Sequence, residues 1–162
     1  GGNGGNVTSS TKDVVLHLDA SMLLDGLKVG VGQSIVDYTA AASDDDETHI
    51  GWVTYSTGPV SVGYRASAIQ SGTAGAAGKE VEAMSLAFNV NDNMSVSIAT
   101  QDTEYDNAGA SATNVTETID ALNASYTMGA ASVRATMSEA DNDAGVSGTT
   151  DEHMELSLVL SF

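Results

Sequence analysis

Residues capable of chemistry are few in this chain and widely separated. The three histidines, His17, His49 and His153, share no spacing that would bring two of them to one metal ion. There is no cysteine, which excludes a disulfide scaffold, a zinc ribbon and a thiol nucleophile together. Serine and aspartate are so common that Ser-His-Asp combinations arise by chance, and no enzyme constellation emerges. The best cluster of hard ligands is Asp44-Asp45-Asp46-Glu47, a candidate calcium site that lacks the spacing and glycine of an EF-hand loop. Gly1 to Val7 resembles one turn of a calcium-binding glycine-rich β-helix, but a single copy cannot stack. No cofactor is required by any of these residues.

The 162 residues suit one domain, and their 22 acids against 5 bases give a formal charge of −17. Nucleic acid is not expected as a partner, because phosphate binding needs a basic footprint. With 41% hydrophobic residues spread along its length, the chain is no disordered acidic tail. No apolar run approaches the roughly 18 to 20 residues of a spanning helix. The opening Gly1-Gly2-Asn3 lacks a methionine or an apolar leader, so a mature or trimmed product is expected.

The elements that carry these residues alternate with period two, which marks strands. Apolar residues fall on every second position at Val14 to Ala20, Leu27 to Ile35, Val60 to Ala68, Met84 to Val90 and Met94 to Ile98. The pattern returns at Leu122 to Tyr126, Ala131 to Met137 and Met154 to Phe162. A further strand is read with Ile50 and Trp52 on the apolar row and His49 and Gly51 between them, making nine in all. Tight turns are expected at Asp25-Gly26, Thr57-Gly58-Pro59, Asn91-Asp92-Asn93 and Met128-Gly129. Long polar loops are expected over 37–48, 70–80, 102–117 and 139–151. Hairpins therefore repeat every ~34 residues, with short links at one end and long links at the other.

Two architectures are compatible with one apolar face per strand: a soluble sandwich or a barrel facing lipid. The second face decides between them. It carries Gly, Ser, Ala and Asn, with Lys28, Arg65 and Arg134 as isolated bases, a lining suited to water rather than a surface rich in Lys and Glu. The expected pore-lining residues are His17, Asp19, Lys28, His49, Arg65, Arg134, His153 and Glu155. Phe88, Tyr126 and Phe162 lie on the apolar row just before a short turn or the chain end, as in an aromatic girdle. Most of the acids lie in or beside the long loops, where they would attract cations toward a channel mouth.

The last strand, Met154-Glu-Leu-Ser-Leu-Val-Leu-Ser-Phe162, with apolar residues at alternate positions and a final phenylalanine, resembles the C-terminal signature of bacterial outer-membrane barrels. With the hairpin period and the stretch from Asp120 to Arg134, the chain looks like the C-terminal half of a general diffusion porin of the alphaproteobacterial type. The resemblance implies an all-β transmembrane antiparallel barrel, with residues 1–162 forming nine strands, the eighth to the sixteenth of a 16-stranded porin. It further implies a homotrimer in the outer membrane, partnered by the missing N-terminal half of the barrel, by lipid and lipopolysaccharide, and by the barrel assembly machinery. That machinery would recognise Met154, Leu156, Leu158, Leu160 and Phe162. The function so implied is passive diffusion of small hydrophilic solutes and ions, with cations favoured. The rival expectation is a soluble acidic β-sheet module of a surface layer or adhesin that binds calcium.

Overall fold

The computed structural model describes residues 9–38, 45–72, 78–106 and 113–160. The chain is all-β. Its strands are β1 (Ser9–Asp19), β2 (Leu27–Tyr38), β3 (Asp46–Thr57), β4 (Val60–Gln70), β5 (Lys79–Asn91), β6 (Met94–Tyr105), β7 (Val115–Met128), β8 (Ala131–Asp141) and β9 (Thr150–Leu160). Each pairs antiparallel with its neighbours in sequence, so the nine form one open sheet ordered β1 to β9. The only helical piece among the described residues is a three-residue 3-10 turn, Asp143–Gly145, between β8 and β9. All nine expected strands are present, and the short links fall at the expected turns.

The turns are set by backbone chemistry. Gly26, ahead of β2, has φ +83°, and a Cβ there would overlap the main-chain oxygen of Ser56. The same close approach allows the Ser56 N–H to donate to the Gly26 carbonyl at 3.1 Å, tying the β1–β2 turn to the β3–β4 turn. Gly58 and Gly129 also take positive φ in their hairpins.

Register assigns each side chain to a face. Direct partners run Leu16, Val31, Gly51, Ala66, Glu82, Asp102, Thr118, Asp141, Thr150 across the sheet. These residues share the face that carries the apolar runs. The row beginning at His17 continues through Gly30, Trp52, Arg65, Ala83, Gln101, Ile119, Ala140 and Asp151 on the other face, which is built mainly of small and polar residues. The third strand corrects the sequence reading. Ile50 and Trp52 lie on the small-residue face, while His49, Gly51, Val53 and Tyr55 lie on the apolar one. The segment from His49 to Tyr55 has apolar residues of both parities, so alternation alone did not fix its phase; pairing of Val29 with Val53 does.

The apolar runs do not follow the pairing rows. Starting at Leu16, the middle of the β1 run, direct pairing arrives at Thr150 on β9, whereas the β9 run centres on Leu158, eight residues further along. The centres move between these limits in unequal steps, through Val31 on β2, Val53 on β3, Tyr64 on β4 and Val96 on β6. Eight strand-to-strand steps thus displace the band by eight residues. One residue per strand is about 3.4 Å of rise for about 4.8 Å of spacing, so the band crosses the strands at about 35° from the pairing direction.

Neither face is packed against a second layer. Among the described residues only Ala20, Thr103, Glu117 and Ala140 are buried, and none of them is a large apolar side chain. The chain exposes 11108 Å², whereas a compact globular chain of its mass would expose about 7,500 Å². Met154, Leu156 and Leu16 remain 77%, 74% and 65% exposed. No sandwich core is formed among the described residues.

Candidate functional site

The small-residue face carries the charged and aromatic groups that the sequence singled out. His17, Asp19, Lys28, Arg65, Arg134, His153 and Glu155 share it. His49 does not: it falls opposite Gln33 and Ala68 on the apolar face, near its loop end, with Nε2 3.3 Å from a Glu47 oxygen. That is a correction to its expected place among the pore-lining residues, and it follows from the phase of β3.

Small residues on this face make room for large ones to lie along the sheet. Trp52 leans over Gly30, where a Cβ would overlap the indole, and the His17 ring meets it edge-on with centroids 4.7 Å apart. On the other side of the same row, Arg65 extends past Ala83 and donates through an Nη to Gln101 Oε1 at 2.7 Å. Serine and threonine hydroxyls bridge neighbouring strands, at 2.8 Å for Ser56 and Ser61, 2.8 Å for Ser95 and Ser125, and 2.9 Å for Thr127 and Ser132. Thr136 donates to Asn123 at 2.8 Å. The face is therefore polar, hydrogen-bonded within itself and low in relief. Such a wall can border water without large side chains filling the space before it.

The long-loop end of this face is covered. Glu117 on β7 accepts the Ala144 N–H at 2.8 Å through one carboxylate oxygen and the Tyr105 hydroxyl at 3.3 Å through the other. Gly145 rests on the Tyr105 ring, so closely that a Cβ would stand 2.8 Å from it. Lys79 Nζ sits 4.6 Å from the centroid of that ring. Tyr105 lies seven residues past Ile98, the last large apolar residue of the β6 run. Burial, then the Glu117 carboxylate and Asp143, push its phenol above its ordinary ionisation range.

The apolar face changes character along its strands. Its acids gather at the loop end, where Glu80 faces Glu104, Glu82 faces Asp102, and Asp120, Glu139 and Glu152 stand in one row. Like charges placed directly opposite repel, which a strand end in water tolerates better than an apolar medium. Tyr64 marks the border, donating to Glu82 at 2.9 Å. A trough of about 1210 Å³ crosses this face from Val53 and Tyr55 to Glu152 and Met154, between an aliphatic row through Leu86 and Leu122 and a row that turns acidic at Asp120.

Of the expected girdle, Phe88 and Tyr126 lie on the apolar face near short turns, and Phe162 lies outside the described residues. Tyr55 belongs with them; its position two residues before Thr57-Gly58 was a signal of the same kind. Met154, Leu156, Leu158 and Leu160 occupy the apolar face of β9. For calcium, Asp44 lies outside the described residues. Asp46 accepts from Ser71 Oγ at 3.2 Å and from the Gly72 N–H at 2.8 Å, tying the end of the β2–β3 connection to the start of the β4–β5 connection. Among the described residues, no three His, Asp or Glu side chains converge on a point suited to a metal ion.

Comparison with protein-family models, with curated proteins and with solved structures gives no match to this chain.

Proposed function

We propose that this chain forms part of the wall of a water-filled β-barrel channel in a bacterial outer membrane, through which small hydrophilic solutes and ions diffuse passively. The observation that carries the reading is the oblique apolar band. It is confined to one face of a single-layer sheet, it runs at about 35° to the pairing direction, and barrel strands tilt by about 35 to 45° from the barrel axis. A band perpendicular to such an axis must climb across the pairing rows by this amount. The opposite face, polar and made of small residues, then faces the lumen.

The acids, the border aromatics and the sheet edges each take a place in that arrangement. The acids at the loop end of the apolar face lie beyond the hydrocarbon, Tyr64 stands at the boundary, and Tyr55, Phe88 and Tyr126 mark the other interface. The edges β1 and β9 pair with the remaining strands of the barrel. Acids around the long loops raise the local concentration of cations at the mouth, so cations are favoured over anions. A soluble module would need a second layer over Leu16, Leu86, Leu122 and Leu156, and no described segment of the chain supplies one.

Reconstitution tests the reading. Protein extracted from outer membranes in detergent, with the mobility shift on heating that folded barrels show, should give stable ohmic steps in planar bilayers and let liposomes swell in small sugars. A monodisperse species in buffer without detergent that gives no steps would overturn it.

A further inference from the structure

The connection between β8 and β9 is knitted into a compact unit. The Asn142 N–H donates to the Thr149 carbonyl at 2.7 Å, the Gly148 N–H to Asn142 Oδ1 at 2.9 Å, and Thr149 Oγ1 to the Val146 carbonyl at 2.7 Å. This unit does not continue the line of β8. Its 3-10 turn packs over β6 and β7 on the small-residue face, and Asn142 Nδ2 donates to the Thr116 carbonyl at 2.9 Å. Three of the four buried positions, Thr103, Glu117 and Ala140, lie together in this corner of an otherwise open sheet.

The contact is specific rather than a loose fold-back. Ala144 holds φ +54°, a conformation that costs a non-glycine residue of order 1 kcal/mol, and in it the amide hydrogen is directed at Glu117. Only glycine fits at 145, both for its φ of +74° and for the Tyr105 ring beneath it. An ionised acceptor makes the stronger class of hydrogen bond.

We propose that the β8–β9 connection is a fixed inward projection narrowing the loop-end mouth of the channel, and that Glu117, with Tyr105 under Gly145, sets how far it projects and hence the size limit for solutes. This rests on the channel reading, because only there does the small-residue face border a lumen. Glu117 is a positioning residue: it acts on solutes through the loop that it holds.

The test compares hydrogen exchange of residues 142–149 with single-channel conductance in the full channel, for the wild type, Glu117→Ala, Glu117→Gln and Gly145→Val. In the wild type the Ala144 amide should exchange far more slowly than exposed loop amides. Glu117→Ala should speed its exchange roughly 10- to 100-fold, the loss expected for a hydrogen bond to a charged acceptor. Conductance should rise roughly 1.3- to 2-fold as the lumen widens, with larger neutral sugars admitted. Gly145→Val reaches the same state by a different clash. Glu117→Gln, whose amide oxygen still accepts from Ala144, should keep the size limit, which separates position from charge. Glu139→Ala, an acid removed from the opposite face, should leave exchange at Ala144 unchanged. Faster exchange with unaltered conductance and sugar cutoff would overturn the proposal, as would fast exchange of Ala144 in the wild type. Absence of any current in the wild type would sink the channel reading itself, while the exchange data would still judge the latch.

Discussion

Phe88 stands two strands from Tyr55 and two residues nearer the short-turn end than direct pairing would place it: Tyr55 pairs to Val62 and so to Leu86, not Phe88. The offset then repeats. Phe88 pairs through Val96 to Ala124, and Tyr126 lies two residues beyond. The aromatic line therefore climbs one residue per strand, parallel to the apolar band to which these residues belong. An ordinary sheet core would place its aromatics for packing density, with no need for a constant slope.

That tilt predicts how substitutions on β7 divide. Leu122 and Asn123 are adjacent but belong to opposite faces. Leu122→Arg should reduce folded, heat-modifiable protein, with a cost of about 2 to 4 kcal/mol near the middle of a bilayer. Asn123→Arg should fold nearly as well as the wild type, because in the proposed channel that face borders water. Unfolding in detergent–lipid mixtures with increasing urea measures both, and equal destabilisation by the two would contradict the assignment of faces.

The two glycines flanking Trp52 in space offer a second check. Gly30→Ala places a methyl group where the indole lies, whereas a Cβ at Gly51 meets nothing within 4 Å. Trp52 is the only tryptophan, so its fluorescence reads the site alone. Gly30→Ala should displace the ring from His17 and alter emission and its quenching by water-soluble iodide. Gly51→Ala should leave both unchanged. A spectrum indifferent to Gly30→Ala would mean that the ring does not rest on β2.

The absence of cysteine allows single-cysteine labelling to compare His17 with His49. A cationic thiol reagent bound at His17→Cys should lower conductance, because that position lies on the lumen wall of the proposed channel. The same reagent at His49→Cys should leave conductance unchanged. Block from position 49 alone would restore the phase that the sequence favoured for β3.

Most of the architecture was legible because turn residues and period-two alternation are local signals. Nine strands and their short links could be placed from the alternating runs and the turn residues at Asp25-Gly26, Gly58, Asn91-Asp92-Asn93 and Gly129. The phase of β3 was not legible, because Ile50, Trp52, Val53 and Tyr55 offer apolar side chains on both parities and only cross-strand register separates them. Nor was the Glu117 latch: Tyr105, Glu117, Ala144 and Gly145 are 40 residues apart end to end, none is unusual in a polar loop region, and their meeting depends on the path of a turn with positive φ. The oblique band lay in between. Its runs were visible in the sequence, but its slope needs the pairing that connects them.

Arg65 supplies the electrostatic prediction. Its guanidinium is held by Gln101 on the small-residue face and makes no salt bridge at 4.0 Å or less to a described acid. In the proposed channel it opposes the cation preference set by the acidic mouth. Arg65→Glu removes one positive charge from the wall and adds a negative one, so reversal potentials should shift toward cations. The shift should be large at 0.01 M salt, where the screening length is ~30 Å, and small at 1 M, where it is ~3 Å. Stability should change by no more than about 1 kcal/mol, since an exposed hydrogen bond exchanges for one with water. A marked loss of stability with unaltered selectivity would instead show that Arg65 is a packing residue and that its face does not border the path of ions.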